Sequence, residues 1–177
     1  MAYPKITVNT SKALAVIASD SIPIPSPNAQ QLVGVTSAVT TDKLVAVGSD
    51  FSNVVVGDIV YNTTDNTVAT VTAIDSSTIL SISADIFTSS ENFIVFQAGP
   101  QFEHRIESSS GCVLYVGSSE ATMDLAKSFV DVKVKTVSGD IVTFSNFPVG
   151  DYLPLQILQL YATGTDAAAD NNCLAIW

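Results

Sequence analysis

Strict alternation of apolar and polar positions is the dominant pattern along this chain, and it predicts strands almost everywhere. The clearest case is "SFVDVKVKTVS". Here Val130, Val132 and Val134 fall on one side and Asp131, Lys133 and Lys135 on the other. Ser138-Gly139-Asp140 then turns the chain into "IVTFSNF", which makes a hairpin. Further toward the end, a strand is expected over Leu155–Tyr161 and a terminal one in "NNCLAIW". The middle reads the same way. "KLVAVGSDF", "VVVGDIVYN", "VATVTAI", "TILSIS" and "NFIVFQA" are short β-rich runs, separated by turns at Gly57-Asp58, "NTTDNT" and Asp75-Ser76-Ser77. Helical periodicity is confined to one expected turn, Glu120 to Lys127.

These elements predict an all-β protein: an antiparallel β-sandwich, jelly-roll-like, with a small inserted β-barrel and an extended N-terminal arm. Residues 1–30 form the arm and a first strand joining the sandwich. Residues 31–98 form the barrel, whose closure leaves few free edges. Residues 99–177 form the sandwich, entered at the breaker pair Gly99-Pro100. Within the arm, Pro23, Pro25 and Pro27 favour extended polyproline geometry. Ile22 and Ile24 then project as anchors, so Ile22, Pro23, Ile24, Pro25 and Pro27 are the candidate partner-binding residues. An ordinary inter-strand connection accounts for the same residues.

Composition narrows the partners. Of 177 residues, 47% are hydrophobic and only 14% charged, which supports a sizeable core under a Ser-, Thr- and Asn-rich surface that is cheap to desolvate. Seven Lys+Arg against seventeen Asp+Glu give a net charge of −10. No basic stripe exists to replace phosphate counterions, so nucleic acid is not an expected partner, and an anionic membrane is disfavoured likewise. No apolar run approaches the ~20 residues of a membrane helix, and no export signal is recognised at the amino terminus. Synthesis in a cytoplasm is expected. Cys112 and Cys173 lie in apolar segments and read as buried free thiols, with a disulfide as the alternative.

Chemistry is sparse. The single histidine, His104, shares a strand face with Phe102 and Ile106 and reads as a core or interface residue. No Gly-x-Ser-x-Gly elbow, paired zinc ligands or Gly-rich phosphate loop occurs. Asp58, Asp65, Asp75, Asp166 and Asp170 lie in expected turns, where aspartates ordinarily cap their own backbone rather than bind calcium. Asn9 and Asn62 match the glycosylation pattern. Phe51, Tyr61, Phe87, Phe93, Phe96, Phe129, Phe144, Phe147, Tyr152, Tyr161 and Trp177 are mostly expected in the core. The chain is expected not to be an enzyme, and neither a metal nor a cofactor is expected.

Two stretches carry a resemblance. Val54 to Phe87 is similar to a module in small structural proteins of tailed bacteriophages, cyanophages and marine phages among them. The ending also resembles the close of many phage virion proteins, through Gly150, Leu153-Pro154-Leu155, Tyr161-Ala162-Thr163-Gly164-Thr165 and Leu174–Trp177. Together they cover a little under half of the chain, and the insertion Asp166 to Asn172 departs from the pattern. The resemblance implies a virion component on the outer capsid surface: a cement or head decoration protein, often a homotrimer, whose partner is the major capsid protein. A tail, neck or fibre-associated protein and a carbohydrate-binding host-attachment module are the alternatives.

Overall fold

The computed structural model describes residues 12–98, 111–118, 129–166, 169 and 172–177. It is all-β, with two antiparallel six-stranded sheets. The first runs in the order β1 (Ala13–Ala15), β12 (Leu174–Ile176), β8 (Cys112–Tyr115), β11 (Tyr152–Leu160), β9 (Phe129–Thr136) and β10 (Ile141–Pro148). The second runs β2 (Gln30–Val35), β7 (Asn92–Phe96), β4 (Ile59–Asn62), β5 (Thr67–Ser76), β6 (Ile79–Ile82) and β3 (Lys43–Val45). Among the described residues the only helical element is a 3-10 turn at Pro27–Ala29. Pro27 fits its first position, and Ser26 caps it by accepting from the Asn28 N–H. No helix among the described residues is long and apolar enough to cross a membrane.

The β9–β10 hairpin shows how alternation becomes structure. Val130, Val132 and Val134 are buried and lie in register with Phe147, Phe144 and Val142. At the turn, Gly139 takes φ +92°, a conformation that suits glycine. The Thr136 hydroxyl accepts from the Asp140 N–H, which ties the turn to the strand it leaves. The expected turn at Asp75-Ser76-Ser77 lies later than predicted. β5 continues through Asp75 to Ser76, which pairs with Ile79, because the Asp75 carboxylate is held on the strand by Lys43 and Ser81.

Each sheet carries its own apolar cluster. In the first sheet, Val16, Leu114, Val116, Val132, Leu153, Ile157 and Leu160 pack together. In the second, Leu44, Phe51, Val60, Leu80, Phe93 and Val95 do so. Gly34 belongs to this tight packing: a Cβ there would lie 2.6 Å from Phe93 Cζ. A third cluster joins the two units. Ile17 and Ile22 from the segment after β1 pack against Ile59, Tyr61 and Phe96 on the opposite side of the second sheet from its own core. Past Val35 the second sheet is drawn together by a bridge between Ala38 and Val45, so the ends of β2 and β3 meet.

Candidate interaction surfaces

The residues expected to reach a neighbour are placed largely within their own fold. β1 pairs with β12 through Ala13–Ile176 and Ala15–Leu174. The chain then crosses between the sheets as a strap. Ser19 N–H donates to the Leu160 carbonyl and Ile24 N–H to the Leu158 carbonyl, at 2.9 Å each, just past the stretch of β11 that pairs with β8. Ile22 is buried in the cluster between the sheets, and Ile24 packs on the core of the first sheet. Pro25 is buried, Pro27 half-buried and Pro23 exposed. Ser26 has an extended backbone, while Pro27 opens the 3-10 turn, and extension carries no information about what the flanking isoleucines meet. Residues 1–11 of the expected arm lie outside the described residues, as do His104, Asp170, Asn9, Gly99-Pro100 and the expected turn at Glu120–Lys127.

Asp20 pins the strap. Its carboxylate accepts from the Thr163 N–H at 2.9 Å and the Thr163 hydroxyl at 2.6 Å. Those bonds, the hydroxyl's first, hold its carboxyl below the ordinary aspartate range. A carboxyl lowered by folding contributes stability above its unfolded pKa, and that contribution is lost as pH falls through the folded value. Asp75 is lowered in the same sense, by Lys43 first and then Ser81. The melting temperature is therefore expected to fall below about pH 4. Asp20→Asn should start lower at pH 7 and fall less steeply, as followed by circular dichroism. An unchanged acid limb would remove Asp20 from this role.

The remaining acidic candidates are occupied with backbone. Asp58 is buried and accepts from the Val55 and Ala98 N–H groups at 2.9 and 3.0 Å. Asp166 accepts from the Asp131 N–H. Glu91, also buried, accepts from the Thr88 hydroxyl, the Thr88 N–H and the Asn62 amide. The Thr88 bonds hold Glu91 low, while a hydrogen bond to Glu91 raises the carboxyl of neighbouring Asp65. Asn62 itself is buried with both ends of its amide engaged, so the glycosylation pattern there marks a structural asparagine. Among the described residues no group of three or more His, Cys, Asp or Glu side chains is placed to hold a metal ion. Cys112 and Cys173 are buried and form no disulfide with each other, their sulfurs directed to the Ile157 and Ala169 carbonyls; burial pushes the Cys112 thiol up to about 12. A buried thiol with a raised pKa supplies little thiolate at neutral pH.

Two exposed apolar regions stand out among the described residues. One lies where β2 and β3 converge. Val33, Val35, Val39 and Val47 are 57%, 52%, 60% and 73% exposed, around the Ala38–Val45 bridge. The Ser37 hydroxyl accepts from the Val47 N–H and fixes this seam. The other is the outward face of β1, β12, β8 and β11, where Tyr152, Tyr115 and Leu174 line up across strands. Phe129 and Tyr152, both expected in the core, are exposed. Each immediately precedes an inward residue, Val130 or Leu153, so alternation turns it outward. Counting the alternation from those neighbours is the sequence signal that finds them. Comparison of the chain with protein-family models, with curated proteins and with solved structures returns no match.

Proposed function

We propose that this chain is a non-catalytic structural virion protein that binds the outer surface of a tailed-phage capsid as a cement or decoration protein. Its partners are the major capsid protein and further copies of itself, as a homotrimer. The observation that carries the reading is the valine seam at the β2–β3 junction. Valine has few rotamers to lose, so a rigid valine surface orders cheaply on docking. The neighbouring Gln30, Gln31 and Ser37 are uncharged and add little desolvation cost. A cluster of buried side chains joins the seam's sheet to the other, which lets a load on one be carried to the other. The net charge of −10 suits a position away from packaged DNA.

The copy number of the chain relative to the major capsid protein in purified particles tests this. A ratio near one to one, or one per few subunits, is expected. A few copies per particle would place it at a tail or neck instead, and complete absence from particles would sink the virion reading. Val47→Asp should reduce cosedimentation with undecorated shells while leaving the melting temperature close to that of the parent.

A further inference from the structure

We propose that copies of this chain meet through the outward face of β1, β12, β8 and β11. This locates the self-contact within the reading above. With seventeen acidic and seven basic residues, two copies approaching at random repel. Contact is favoured where neither copy brings a carboxylate. Four adjoining strands meet that condition: Ala13–Ala15, Leu174–Ile176, Cys112–Tyr115 and Tyr152–Leu160 contain no Asp, Glu, Lys or Arg.

The register arranges their outward side chains in two rows. Ala15, Leu174, Tyr115 and Tyr152 form one; Ala13, Ile176, Val113 and Gln156 form the other. The Tyr115 and Tyr152 rings stand 5.3 Å apart at 60°, while Tyr152 and Leu174 remain 52% and 39% exposed. Asp151, the carboxylate next to Tyr152, turns back onto the Tyr152 N–H. Tyrosine supplies large contact area with only two rotatable side-chain angles, which suits a contact residue. Three strand spacings make the face about 15 Å across. A contact of that width lies at the small end of the interface range, so association depends on concentration and strengthens where copies are held side by side.

Sedimentation velocity of the full chain, without shells, tests the assignment. The parent should form species larger than the monomer as its concentration rises. Tyr152→Glu should weaken that association by about thirty-fold or more, and Leu174→Glu should act in the same direction. Ile141→Glu, on the far edge strand β10, should leave it unchanged. Circular dichroism and thermal melts establish which variants are folded. A parent that stays monomeric throughout overturns the proposal. So does a folded Tyr152→Glu or Leu174→Glu that associates like the parent, or an Ile141→Glu that loses association equally. Shell cosedimentation reads the capsid assignment separately. Association in solution without shell binding keeps this inference and sinks that one, and shell binding by a strictly monomeric chain does the reverse.

Discussion

Phe96→Ala is expected to cost about 3–5 kcal/mol, the range for emptying a large buried aromatic site. Phe96 is fully buried and meets Tyr61 edge-on, with ring centroids 5.2 Å apart. Around the pair stand Ile17, Ile22 and Ile59, so the cavity would open where the strap crosses the second sheet. Burial raises the Tyr61 hydroxyl pKa above its ordinary value. Because each sheet keeps a separate core, the substitution should also weaken their coupling. Urea unfolding followed by near- and far-ultraviolet dichroism should show a single transition in the parent and two separated ones in the variant. A single transition displaced by less than about 1 kcal/mol would refute the coupling role.

Asn62→Leu should cost about 3 kcal/mol, although it adds apolar volume to a buried position. The Asn62 amide donates to the Ile86 carbonyl at 2.7 Å and to Glu91 Oε2 at 3.0 Å. Its oxygen accepts from the N–H groups of Thr64 and Asp65 at 2.9 and 3.2 Å. Leucine would leave these groups without their partner and place a methyl group against a carboxylate. Asn62→Asp keeps the shape and should be more damaging at neutral pH, since a third carboxylate would join Glu91 and Asp65. Lowering the pH should recover part of that loss. Denaturant midpoints at pH 7 and pH 4.5 distinguish the cases; equal losses at both would show that charge is not the cause.

Much of the fold is legible in the sequence, for a definite reason. Period-two alternation states which residues face in, and the glycines at 57 and 139 take positive φ at the turns expected for them. Val130, Val132 and Val134 therefore lie where their pattern places them. Legibility ends where the role of a residue depends on distant partners. Nothing local tells that Ile22 joins the cluster around Phe96, or that Asn62 holds Glu91 from another strand end. The valine seam is hidden in the same way, because Val33 and Val47 look like core until β2 and β3 are brought together.

The pairing of β1 with β12 sets the order in which the molecule can be assembled during synthesis. Ala13 sits opposite Ile176, so the first sheet gains that edge only after Ile176 has left the ribosome. Every strand of the second sheet lies between Gln30 and Phe96 and is available long before. Contacts so far apart in sequence close slowly, because loop entropy must be lost before the pairing is gained. In the interval, Ile17 and Ile22 can settle on the finished second sheet and hold β1 in place for β12 to join.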